Sequence, residues 1–215
     1  MLANWVSSCE VDGQVIFLDI LANRYSRLGK SLGEAVIRGE LDDTRPDFQE
    51  KIRTLGWLDK RPAVARSSSR SIIDAAREHS AEYDEGSAPK RLMASALRSL
   101  LSAKIFLALT SLDSVLSNLQ SNNARAREAT ADPAKRTDVI AAFEIVERAA
   151  IGKDRCLQRS IALQHLLARN GFESSLVFGV RLNPFHAHCW LQDGDLVLND
   201  TLEVVGPFQA LRAVG

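Results

Sequence analysis

The chain has 215 residues and 23.6 kDa, enough for one large domain or two small ones, with 46% hydrophobic and 25% charged residues. That balance excludes a disordered chain. Lys+Arg and Asp+Glu are both 27. Residues 1–60, 61–136 and 137–215 carry net charges of −2, +4 and −2. No segment has the basic excess of a protein held to nucleic acid by its phosphates.

Along the chain, an Asp12-Gly13 turn feeds the apolar run 14–19, a hairpin whose first strand covers 5–8. Asn23 turns the chain into a short third strand, 24–27. Ser31-Leu-Gly-Glu34 has the form of a capping box opening a helix that ends near Gly39. Thr44 and Pro46 suit the start of a second helix ending at Gly56. Three strands and these helices make a small winged-helix-like unit, too short to bury much core by itself.

Residues 61–88 read as a linker, with serine-rich and acidic turn-forming stretches around a short helix at 72–83. From Pro89 to about Leu119 the apolar spacing is helical, as two helices or one bent one. A polar break at 121–137 precedes a helix at 138–150. A further helix, 156–169, stops at Asn170-Gly171. Strands at 174–181, 187–192 and 196–200 follow, the last two joined through Asp193-Gly194-Asp195. The fold class is therefore α+β: a β3/α module followed by a lobe of helices plus antiparallel sheet.

Cys9, Cys156 and Cys189 are too few and too scattered for a disulfide scaffold or a thiolate zinc site. There is no signal-peptide pattern at the N-terminus and no run approaching ~20 apolar residues, so a cytoplasmic, reducing setting is expected. No phosphate-binding glycine loop or clustered metal ligand set appears, so neither a cofactor nor a metal is expected.

Three residues stand in an order that chemistry can use. Cys156 opens a helix, where the N-terminal amides and nearby Lys153 and Arg155 favour thiolate. His188 lies 32 residues on, sharing a strand face with His186, Trp190 and Gln192. On that alternation Cys189 points away from the site, as a small buried hydrophobe. Asp200 ends the next strand. A three-residue turn at 193–195 would set Asp200 opposite His188; one at 192–194 would set it opposite His186 and diagonal to His188. A two- or four-residue turn would put it on the other face, so a Cys–His–Asp triad requires an odd turn. Cysteine on a helix followed by histidine and aspartate on neighbouring strands is the transglutaminase-like, papain-related arrangement.

The stretches Cys156-Leu-Gln-Arg-Ser160, Pro184-Phe-His-Ala-His188-Cys-Trp190 and Leu198-Asn-Asp200 resemble the B proteins of lasso-peptide biosynthesis, transglutaminase-like leader peptidases. The N-terminal unit, with Asp12-Gly13, Phe17-Leu-Asp19 and Tyr25-Ser-Arg-Leu28, resembles their PqqD-like precursor recognition element. The resemblance implies a 1–60 recognition element, a 61–88 linker and an 89–215 cysteine peptidase. Cys156 would be nucleophile, His188 (rather than His186) base and Asp200 its orienter. A precursor leader would bind as an added strand near Tyr25 and Arg27, with the helix after Thr44 as the other wall. Phe185 and Trp190 are either walls of the cleft or core, and Arg159 either pairs an acid or fills the first helical turn. An ATP-dependent, asparagine-synthetase-like cyclase would receive the core peptide. An amidase or acyltransferase of the same fold, and a non-catalytic precursor-binding scaffold, are the alternatives.

Overall fold

A computed structural model describes residues 2–41, 44–58, 72–79, 89–129, 132, 134–150 and 155–215. Its first unit is an antiparallel sheet of β1 (Val6–Val11), β2 (Gln14–Asp19) and β3 (Arg24–Gly29), in that order across the sheet. Asp12 and Gly13 both adopt positive φ, 49° and 70°, and the pairing of Val11 with Gln14 closes a two-residue hairpin between them. Helix α1 (Lys30–Arg38) follows without a break, and Gly39 ends it at φ 76°. The expected capping box does not form. Gly29 is the N-cap and Ser31 lies inside the first turn, because β3 runs straight into the helix. Thr44 likewise is not the cap of α2 (Pro46–Thr54). Arg45 holds that position, while the Thr44 hydroxyl donates to the Leu41 carbonyl at 2.6 Å.

Strand β2 is apolar on both sides, and the alternation sends its side chains into two cores. Val15 and Phe17 join Val36, Ile52 and Trp57 in the core of the small unit. Ile16, Leu18 and Ile20 instead join the main core with Leu116, Phe143, Ile161 and Leu163. Asp19 is buried at the seam, accepting from Trp57 Nε1 at 2.8 Å and from the Ala22 amide at 3.0 Å. Buried Arg212 ties the two parts from the other side, donating through Nη1 to the Asn4 carbonyl and Ser7 Oγ, each at 3.0 Å. The small unit thus completes its burial against the larger one, as its size requires.

In the larger part, α3 (Lys90–Leu109), α4 (Leu112–Glu128), α5 (Ala134–Ala150) and α6 (Cys156–Arg169) pack on one face of a five-stranded sheet. Its order is β4-β7-β6-β5-β8, with β4 at Arg77–Glu78, β5 at Ser175–Arg181, β6 at His186–Asp193, β7 at Leu196–Val197 and β8 at Gln209–Val214. A short α7 (Leu202–Val205) covers the other face. Several sequence expectations give way here. The described part of the expected 72–83 helix is extended, and β4 pairs in parallel with β7, fastened by Arg77 to Asp195 at 2.5 and 2.9 Å. The expected break at 121–137 is mostly helix. Its central asparagine is turned inward: Asn123 donates to the Ser174 carbonyl at 2.6 Å and accepts from Gln164 Nε2 at 2.9 Å. Strand β8 escaped notice because buried Arg212 interrupts its apolar pattern. Among the described residues, α3 is long and apolar enough to cross a membrane by length and composition, although no contiguous apolar run announced it. Its inner residues Ala96, Ser99, Leu100 and Ala103 are buried, and it packs on α5 and α6.

Candidate active site

The site forms where β7 stops early. Gln192 pairs with Val197 and Asp193 with Leu196, so the hairpin turn is Gly194-Asp195, two residues. Continued as a strand, that register would carry Asp200 to the face away from the histidines, contrary to the odd turn expected. The strand does not continue. After Val197 the chain bends through 198–200, and the bend brings Asp200 Oδ2 to 2.7 Å from His188 Nε2. The expected contact is present, made by a bend instead of by strand register.

Asn199 holds the bend. Its Oδ1 accepts the buried Leu191 amide at 2.7 Å, replacing the carbonyl that a longer β7 would have offered. Its Nδ2 donates to Ser160 Oγ at 3.0 Å, joining the bend to α6. Arg159 adds a second tie through Nη2 to the Asn199 carbonyl at 3.1 Å and ion-pairs with Glu147 of α5. The sequence carried the motif Arg159-Ser160 and Asn199-Asp200, but only the bend explains why the four occur together.

Because β7 is so short, the β6 edge at Cys189 is bare on the β7 side, and the N-terminus of α6 occupies it. Cys156 is half-buried there. Hydrogen bonds from the Cys189 thiol, the His188 ring and the Cys189 backbone lower its pKa to about 4, against the opposing cost of burial. Burial opposes a charged His188, yet Asp200 and Cys156 outweigh it and raise the imidazole to about 9. With Nε2 on Asp200, Nδ1 is the ring atom left for the thiol. Between these limits the pair is a thiolate and an imidazolium. Cys189 is held well above the usual thiol range by its bond to Cys156 and by burial, so it serves as a neutral donor. The expectation that Cys189 points away from the site is thereby corrected. It is buried as expected, but it faces α6, and its thiol meets the nucleophile candidate across the edge.

The remaining expected residues separate. Trp190 is core, 3% exposed, with its ring centroid 6.1 Å from His188 and its indole donating to Gln192 Oε1 at 3.0 Å. Phe208 covers His188 at 5.3 Å. Gly179, opposite His188 on β5, leaves room for both, since a Cβ there would lie 2.7 Å from Trp190 and 3.0 Å from Phe208. His186 is exposed at the start of β6 against Phe208. Phe185 is 45% exposed and meets Tyr25 of β3 edge-on at 5.8 Å, and Asn183 donates to Asp12 Oδ2 at 3.3 Å. Tyr25 is largely buried, and burial together with Cys189, Cys156 and Cys9 raises its phenol far above the usual range. Arg27 is exposed on β3, which among the described residues is the edge strand of the first sheet. The helix packed beside β3 is α1, where α2 was expected.

The profile of the transglutaminase-like superfamily matches residues 97–213. A relative, the microcin J25-processing protein McjB of Escherichia coli, is 38% identical over 61 residues. That match covers 28% of this chain and 29% of the relative's length. No solved structure matches the chain.

Proposed function

The chain belongs to the transglutaminase-like superfamily, and from that premise we propose that it is a cysteine peptidase that removes the leader from a ribosomally made lasso-peptide precursor. The observation that carries the reading is His188 set between Asp200, at 2.7 Å, and the Cys156 thiol at the start of α6. Partial similarity to a microcin J25-processing protein supports the choice of substrate.

In this reading the Cys156 thiolate attacks the carbonyl carbon of the leader–core bond, forming a C–S bond while the carbonyl oxygen takes up negative charge. The first amides of α6 have no side-chain cap, and they serve as donors to that oxygen. As the C–N bond breaks, His188 gives its proton to the departing amine of the core. It then accepts a proton from water, which attacks the thioester and releases the leader as a carboxylate. Asp200 holds the ring in the orientation that serves both transfers.

Residues 1–60 act as the recognition element and 89–215 as the peptidase, joined by 61–88. The leader adds a strand along β3, pairing with its free main-chain groups beside Tyr25 and Arg27. The edge contact of Tyr25 with Phe185 links that strand to the residues entering β6, so a leader bound on β3 is delivered toward Cys156. The core then passes to an ATP-dependent, asparagine-synthetase-like cyclase. Mass spectrometry of a lasso-type precursor incubated with the full chain tests this. Wild type is expected to release a leader with a free carboxylate and an intact core, and Cys156→Ala neither. Cleavage by the alanine variant refutes the nucleophile, and transfer of the leader to an added amine in place of water identifies an acyltransferase.

A further inference from the structure

Helix α3 has an outer face that the fold does not use. Leu97, Leu101, Ile105 and Leu109 recur every four residues along it and are 44%, 54%, 58% and 78% exposed, whereas Ala96, Leu100 and Ala103 on the inner face are buried. At about 100° per residue, Leu97, Leu101 and Ile105 span a stripe of roughly 80°, with Ala94 and Ala108 inside it. Lys104 lies about 20° beyond the Leu97 edge of the stripe. Leu109 extends the other side by about 40°, so Arg98 flanks the stripe only along its N-terminal part, at an angle between Ile105 and Leu109. Lys90 and Arg91 stand at its N-terminal end. The helix contains no acidic residue, in a chain whose total charge is zero. Among the described residues none of these four cations has an ion-pair partner.

We propose that α3 is an interfacial helix that docks the protein on an anionic lipid surface, with Leu97, Leu101, Ile105 and Leu109 seated among the acyl chains and Arg98 and Lys104 reaching the lipid phosphates. The physical reasons are complementary. An apolar stripe flanked by long cationic side chains matches a headgroup boundary, since Lys and Arg stems lie along apolar surface while their charges reach the polar layer. Anionic lipid attracts each such cation, and the attraction is screened by salt. A second copy of the chain is a poor occupant of this face, because it would bring together two helices that carry four cations each and no acidic residue. Spanning is excluded by the inner face, which is committed to α5 and α6 and whose Leu100 carbonyl accepts from Gln158 at 3.3 Å. The helix lies on the surface without crossing it. This inference stands apart from the peptidase reading.

Flotation of the full chain with vesicles tests it, using phosphatidylcholine alone against phosphatidylcholine containing phosphatidylglycerol. Binding is expected to the anionic vesicles only, and to fall several-fold when salt is raised from about 0.1 to 0.5 M. The double variant Leu101→Glu/Ile105→Glu should lower the bound fraction about 10-fold or more. Arg98→Glu/Lys104→Glu should abolish the preference for anionic lipid. All four side chains are exposed, so circular dichroism melting curves should match wild type. Absence of binding to anionic vesicles, or undiminished binding of the Leu101/Ile105 variant, overturns the proposal. Lipid-free self-association that the same variant abolishes overturns it in favour of a second copy as the occupant.

Discussion

Replacing Asn199 by alanine separates the bend from the proposed triad it carries. The side chain supplies an acceptor to the Leu191 amide at 2.7 Å and a donor to Ser160 at 3.0 Å. Leu191 is fully buried, so its amide loses its partner with no water to replace it. An unpaired buried amide costs about 1–3 kcal/mol, and the lost Ser160 bond adds about 1 kcal/mol. The expected loss is therefore about 2–4 kcal/mol in the free energy of unfolding extrapolated from urea to water, with an unchanged slope. Folded variant should still be impaired, because Asp200 is the residue after Asn199 and loses its fixed approach to His188. Alkylation of Cys156 followed against pH reads this second effect. A loosened Asp200 supports the imidazolium less, and the imidazolium holds the Cys156 thiol down, so thiolate reactivity should set in at a higher pH than in wild type. Unaltered stability, or a destabilised protein with the wild-type pH profile, would refute the role given to the bend.

Asp200→Asn keeps the shape and removes the charge that raises His188 to about 9, so the alkaline limb of kcat/KM should move down while the acidic limb, set by Cys156 near 4, moves less. Titrating cleavage rate across pH in both proteins checks it. Gly179→Ala forces a methyl to 2.7 Å from the buried Trp190 ring, and a loss of about 1–3 kcal/mol is expected in thermal or urea unfolding. Arg212→Met removes the donors to Asn4 and Ser7 that join β8 to the first unit. Hydrogen exchange should then show faster exchange in residues 4–8 than in the centre of α6.

How much was visible beforehand depended on which physics fixed each part. Cys156, His188 and Asp200 were legible because their residue types and order carry the chemistry independently of detailed register. The register was misjudged, since nothing local announces that β7 ends at Val197. Asn199 substitutes a side chain for a strand carbonyl, and such a replacement looks like an ordinary polar residue in sequence. Cys189 faces α6 on the expected alternation, and only the position of the helix N-terminus at a bare edge turns that face into part of the site. Strand β8 was hidden by Arg212, a charge whose hydrogen bonds to Asn4 and Ser7 reach more than 200 residues along the chain. Residues 121–128 looked like a loop because their asparagines are used inside the helix packing. The hairpin at Asp12-Gly13, by contrast, follows from two residues that tolerate positive φ, and it formed as read.

The proposed acyl transfer requires that Cys156 stand as a thiolate paired with His188. That pairing is measured most directly by the rate of Cys156 carbamidomethylation by iodoacetamide as a function of pH, read by intact mass and peptide mapping. Selective modification of Cys156 is expected already near pH 5.5, with Cys9 and Cys189 unreacted, and loss of that low-pH reactivity in His188→Ala. Reactivity that rises only near pH 8.5–9, the range of an ordinary thiol, or that is indifferent to His188, would contradict it.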